Sequence, residues 1–259
     1  MYVAGRLDAY KLIVMDILIT VAPKDFNKLK YNYESIIQNI DRIDEFVYIS
    51  PIPIPAKYLP RKDVFTWTDA QECDFDIYRI NMTHRHGWYR QQFIKLFQES
   101  TSDAYLVVDA DAFICTPLRV NEERPIFYLG NDQLHQPYFD LMKEVVNLDR
   151  VYPHSFISEI MYFEKEIIID MLVRLGIDSY TFFDRCVEHI NKANDASGFS
   201  EYELYGNYVA KYFPTLYQYE HISVLSKALK REWTDDELKQ HIKQNRGKGY
   251  DILTMHSWL

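Results

Sequence analysis

The residues best placed to do chemistry are Asp109 and Asp111, which follow the apolar run Ala104-Tyr105-Leu106-Val107-Val108 and are separated by one residue. Side chains alternate along a strand with a period of two, so this spacing predicts both carboxylates on the same side at a strand's carboxyl end. Leaving two carboxylates unpaired beside such a run is costly, and a cation is therefore expected there. Two hard oxygen ligands can hold a divalent ion while leaving coordination positions open for a diphosphate. A solvated turn after a strand is the plainer alternative. Position favours the ligand site, because the pair lies mid-chain after a strand–helix pattern and open α/β sheets bind ligands where strands end.

The elements that must carry these carboxylates can be read from periodicity. Residues 12–21 read as a first buried strand, interrupted by Asp16, and Pro23 then introduces a helix with Phe26, Leu29, Tyr33, Ile36 and Ile40 at spacings of three and four. Residues 45–50 form the second strand of an opening βαβ unit. Four prolines make residues 51–60 an extended loop, and residues 64–67 a third strand. A helix over residues 88–98 buries Phe93, Leu96 and Phe97, with Trp88, Gln91, Gln92 and Lys95 on its other side, and feeds directly into the acidic strand. Further strands are expected over residues 125–129 and 156–163, and a helix over 165–175. The C-terminal third reads as more helical: Thr234 and Glu237 have capping-box spacing, and Gly247 and Gly249 loosen the chain before residues 254–259. The expected class is α/β, a mixed and mainly parallel sheet flanked by helices.

Composition narrows the function. A formal charge of −9 in 259 residues, with no basic stripe, argues against a nucleic-acid partner. The 21 Tyr and 15 Phe offer aromatic surface for packing and for stacking on sugars or bases. Cys73, Cys115 and Cys186 are odd in number and widely spaced, which fits reduced thiols in a cytoplasmic setting. Residues 12–22 are too short to cross a bilayer, and no repeat or linker divides the chain, so a single soluble domain is expected.

The segment Asp109-Ala110-Asp111 with Phe113 and Pro117 resembles the DxD region of nucleotide-sugar glycosyltransferases of the GT-A fold. Gly87-Trp88-Tyr89-Arg90-Gln91-Gln92 before it and Ser200-Glu201-Tyr202-Glu203-Leu204-Tyr205-Gly206 after it look like a DxD-containing branch of such enzymes. The resemblance implies a GT-A-like, Rossmann-like domain whose first half, about residues 1–120, binds a nucleoside diphosphate sugar and whose second half, about 121–259, binds a hydroxyl acceptor. It implies that Asp111 binds the metal directly, that Asp109 serves metal, donor and catalysis together, and that Ala22 and Lys24 lie under the nucleotide. It also implies a late metal ligand, for which His256 is the match; a mixed oxygen and imidazole set favours Mn2+ over Mg2+.

Two glutamates can be separated by helix-end physics. With Ser200 as a helix cap, Glu203 occupies the third position and can close a capping box, whereas Glu201 has no such task and is left to face the cleft. Glu201 is therefore the expected contact to the acceptor hydroxyl and the candidate general base. Trp88 can stack on a base or sugar, Gln92 and Lys95 can reach ribose or phosphate, and His154, Ser158 and Glu159 are candidates for the acceptor side. Two other readings compete. Haloacid-dehalogenase-type phosphatases also use Asp-x-Asp, but expect Thr or Val where Phe113 stands; a non-catalytic carbohydrate-binding protein would share only the aromatic content.

Overall fold

The computed structural model describes residues 15–61, 64–68, 74–120, 124–130, 134–193 and 195–257. Strand β1 (Met15–Thr20) is buried at all six positions, as a parallel strand covered on both faces must be. Its one acid, Asp16, is accommodated because Oδ2 accepts the Ser102 N–H at 2.6 Å. Residues 12–14 of the expected first strand and Cys73 lie outside the described residues. The helix expected from Phe26 onward starts as a 3-10 turn, Pro23–Lys28, and becomes α1 at Leu29–Asn39, burying Leu29, Tyr33 and Ile36. The chain then forms β2 (Ile43–Ser50), β3 (Phe65–Thr68), α2 (His86–Phe97) and β4 (Ala104–Val108).

The central sheet has the order β3-β2-β1-β4-β7, with β7 at Ile160–Glu164. The first four strands run parallel, and β7 pairs with β4 antiparallel. The chain moves outward from β1 through β2 to β3, then returns to the other side of β1 to lay down β4. Strand order therefore reverses between β1 and β4, and at such a point the loops leave in opposite directions and open a crevice outside the carboxyl ends. Val108 ends β4, so Asp109 is the first residue beyond it.

Two smaller sheets complete the fold. Strand β5 (Ala112–Ile114) pairs antiparallel with β10 (Ile252–Ser257), which runs parallel to β9 (Val224–Leu229); β6 (Ile126–Leu129) pairs with β8 (Gln218–His221). Helices α3 (Gln136–Val146), α4 (Lys165–Leu175), α5 (Ser179–Ala193), α6 (Glu201–Tyr212) and α7 (Asp235–Asn245) make the later part more helical. The result is a mixed α/β fold with a mainly parallel central sheet flanked by helices. The strand expected over 156–163 starts only at Ile160, because residues 155 and 156 bond to Glu203 instead of to a strand. Among the described residues no helix is long and apolar enough to cross a membrane.

Candidate functional site

Because β4 stops at Val108, a turn and not strand alternation sets the directions of the two aspartates. Ala112 N–H closes the turn on the Asp109 carbonyl at 3.0 Å. The Asn32 amide clamps it by donating to the carbonyls of Asp109 (3.1 Å) and Ala112 (2.7 Å). The two carboxylates then meet different partners. Asp109 Oδ1 accepts from Lys95 Nζ at 2.7 Å and from the Tyr202 hydroxyl at 2.9 Å. Asp111 Oδ2 pairs with His256 Nδ1 at 2.8 Å. Burial opposes charge on both members of that pair, yet their hydrogen bond and attraction win: Asp111 is held below the usual carboxylate range and His256 above the usual imidazole range.

The late histidine arrives by strand pairing. Met255 N–H donates to the Asp111 carbonyl at 3.0 Å, and the Trp233 indole donates to the His256 carbonyl at 3.1 Å. Two lysines of the Pro23–Lys28 turn fasten the same strand. Lys28, fully buried, reaches the Met255 carbonyl (2.5 Å), Ser257 Oγ (3.1 Å) and Asp25 Oδ1 (2.5 Å); Lys24 donates to the Ser257 carbonyl. Lys24 is thus occupied with β10, while Ala22 lies in the crevice at the end of β1.

The side of α2 that carries Gln92 and Lys95 is neither wet nor open, contrary to the sequence reading. Both side chains are buried against the first turn of α6: Gln92 Oε1 accepts Glu201 N–H at 3.2 Å, and Lys95 Nζ lies 2.7 Å from Glu201 Oε1. Glu201 is therefore not an unemployed carboxylate in an open cleft but is 3 % exposed and ion-paired. Burial lifts its pKa above the usual range against the pull of Lys95, toward the range a general base uses. Ser200 caps α6 by accepting Glu203 N–H, as expected. The other half of the capping box does not form, because the Glu203 carboxylate turns to Ser155 Oγ (2.6 Å), Phe156 N–H (3.2 Å) and Asn207 Nδ2 (3.2 Å).

Glu159 stands beside the aspartates in a left-handed backbone conformation, φ +66°, with its carbonyl accepting Asp109 N–H at 3.0 Å. A non-glycine residue held this way marks a locally strained position of the kind concentrated at functional sites. Burial, then repulsion from Asp109 and Asp111, pushes its carboxyl well above the usual range. Ser158 is buried and bonds the Ile160 carbonyl, and the His154 ring packs edge-on against His221 at 4.4 Å.

A cavity of about 170 Å³ opens at the carboxyl ends of β1 and β2. Its polar lining comes from Thr20, Tyr78, His86, Arg90 and Gln91, none of which the sequence reading assigned to a ligand. Successive helix residues are rotated by about 100°. Trp88, Gln92 and Lys95 share one side of α2, and Gly87, Arg90, Gln91 and Ile94 present the adjoining side to the cavity. Trp88 instead lies under the Arg85 guanidinium at 4.2 Å and packs edge-on against Tyr89 at 4.9 Å. Tyr78, 72 % exposed, forms the mouth of the cavity, edge-on to His86 and near the Arg90 guanidinium.

Among the described residues no three His, Cys, Asp or Glu side chains already surround a point suited to an ion. The donors nonetheless suit a divalent cation: an imidazole in contact with one carboxylate, and two more carboxyl groups beside it. Ligands bind metals deprotonated, so a cation here would take the place of any proton shared between His256 and Asp111.

Residues 19–244 match the family described as "Family of unknown function (DUF6492)". No curated protein matches the chain in sequence. Among solved structures it is similar to the WbbM bifunctional glycosyltransferase at 11 % identity and TM-score 0.43, over 96 % of this chain and 46 % of that one. It is also similar to the galactosyltransferase LgtC in complex with donor and acceptor sugar analogues (11 %, TM-score 0.45, 93 % and 87 % covered). Mouse xyloside xylosyltransferase 1 is a third (10 %, TM-score 0.43, 93 % and 97 % covered). The chain spans about half the length of WbbM.

Proposed function

The chain belongs to the DUF6492 family, and we propose that it is a metal-dependent glycosyltransferase moving a sugar from a nucleoside diphosphate donor to an acceptor hydroxyl. The observation that carries this is the meeting of His256 with Asp111 at the strand-order reversal, at the same carboxyl end of the sheet as the cavity that β1 and β2 frame. Mn2+, or Mg2+, bound by Asp109, Asp111 and His256 would neutralise charge growing on the leaving diphosphate. The chain's own residues do the remainder. Arg90, Gln91 and Thr20 bind the nucleoside in the cavity, Tyr78 covers it, and Ala22 floors it. Asp109 orients the donor's ribose and sugar. Glu201, with its raised pKa, takes the acceptor proton in an inverting transfer while the new C–O bond forms and the diphosphate leaves. The donor half is about residues 1–120 and the acceptor half about 121–259. The free thiols Cys115 and Cys186 suit a reducing, cytoplasmic setting.

The test is hydrolysis of UDP- and GDP-sugars without acceptor, with and without Mn2+. Wild type should turn over at least one donor only with metal, and Asp111→Asn should lower that rate by about 100-fold, because it removes a ligand of the cation that opposes the developing charge. Turnover unaffected by Asp111→Asn, or none with any donor, refutes the proposal; phosphate release from a simple phosphomonoester would point to the phosphatase.

A further inference from the structure

Lys95 is 2 % exposed and stands where α2, the end of β4 and the first turn of α6 meet. An ammonium has three hydrogens, and each finds an acceptor: Asp109 Oδ1 at 2.7 Å, Glu201 Oε1 at 2.7 Å and the Tyr202 hydroxyl at 3.4 Å. The Tyr202 ring lies 4.5 Å below it. The backbone that carries it is anchored as well, since the Tyr105 hydroxyl donates to the Lys95 carbonyl at 2.6 Å. Burial alone would strip this lysine of its charge. The two carboxylates outweigh it and hold Lys95 protonated. One buried charge thus serves two carboxylates with different tasks, one assigned to the donor and one to the acceptor.

We propose that Lys95 is a positioning residue that couples the two ends of the site: it competes with the divalent cation for Asp109, and when the cation is bound it is committed to Glu201. The proposal rests on the reading of Asp109 and Asp111 as cation ligands. A doubly charged ion at Asp109 repels an ammonium 2.7 Å from the same carboxylate. Glu201, equally close on the other side, is the partner left to it. Donor loading then fixes the orientation of the base before an acceptor arrives. The coupling is reciprocal: whatever weakens the hold of Glu201 on Lys95 throws more of its charge onto Asp109 and loosens the cation.

This reciprocity predicts opposite signs for two substitutions at one ion pair. Mn2+ affinity is measured by the paramagnetic resonance of free Mn2+, without nucleotide. Lys95→Met should tighten Mn2+ by about tenfold, and Glu201→Gln should weaken it several-fold, within the range of coupled sites. In a Lys95→Met background Glu201→Gln should have no effect. If Lys95 merely props the fold, Lys95→Met loosens the site and weakens Mn2+, which overturns the proposal. Should Lys95→Met fail to fold, the near-isosteric Glu201→Gln decides: unchanged or tighter Mn2+ overturns the coupling. Wild type that binds no Mn2+ overturns the cation reading and the coupling with it, whereas wild type that binds while Glu201→Gln leaves affinity unchanged overturns the coupling alone.

Discussion

Gly206→Ala puts the packing beneath the site to a quantitative test. Gly206 lies inside α6, where alanine on helix propensity alone would add about 1 kcal/mol of stability. A Cβ at this position, however, would stand 2.2, 2.4 and 2.6 Å from Cγ, Cδ1 and Cδ2 of Phe156. Carbon atoms rest at roughly 3.5–4.0 Å, so the ring must retreat by more than an ångström. It has little room: Phe156 is fully buried against Phe127, Tyr152 and Tyr219, and its own N–H is held by Glu203. Overpacking of this kind costs about 1–3 kcal/mol, and at these distances the upper end applies. The net loss should be about 2 kcal/mol, lowering Tm by roughly 4–8 °C for a chain of this size. Urea unfolding followed by circular dichroism should show a lower midpoint with an unchanged slope. Gly87→Ala, whose Cβ meets nothing within 4 Å, is the control and should cost nothing. Adding Phe156→Leu to Gly206→Ala should recover stability non-additively, by more than about 0.5 kcal/mol. A Gly206→Ala protein as stable as wild type would mean that Phe156 is not seated on α6, and the segment leading to Glu159 would lose its foundation.

Further outcomes follow from the same geometry. Lys28→Met removes the cation from buried Asp25 and from the Met255 carbonyl; it should cost about 3–5 kcal/mol in urea unfolding, and a loss under about 1 kcal/mol would contradict the buried pairing. His256→Ala should raise the Mn2+ concentration needed for half-maximal donor hydrolysis by about 10- to 100-fold, and an unchanged requirement would leave the histidine a purely structural role. Arg90→Ala should weaken nucleoside diphosphate binding in calorimetry by about 1.5–3 kcal/mol; unaltered affinity would move the nucleotide out of the cavity at the ends of β1 and β2.

Local rules made much of the fold legible. Residues 165–175 form α4 with the expected bounds, the Thr234–Glu237 capping box forms with both of its hydrogen bonds, and Ser200 caps α6. These depend on neighbours within four residues, which a sequence displays. What escaped depends on distant partners. The Glu203 carboxylate abandons its cap for Ser155, 48 positions away, and the capping box is left half made. Lys95 reads in sequence as a side chain able to reach ribose or phosphate because Glu201, which pairs with it, lies 106 positions further on. The side of α2 that periodicity grouped is split by the structure: Gln91 turns with Arg90 to the cavity, and Trp88, Gln92 and Lys95 do not line it. Periodicity identifies which residues share a side, but only tertiary packing decides which way that side turns.

The placement of β10 also imposes an order of events during synthesis. A nascent chain through residue 164 already contains every strand of the central sheet, including the carboxyl ends that frame the cavity. It still lacks the partner of Asp111, and Lys28 has no Met255 carbonyl to receive it. The ribosome must add about ninety more residues before His256 emerges, inserts between β5 and β9 and completes the pair. A polypeptide stalled before Ile252 would therefore own the central sheet while Asp111 still lacked its histidine and Lys28 its anchor on β10.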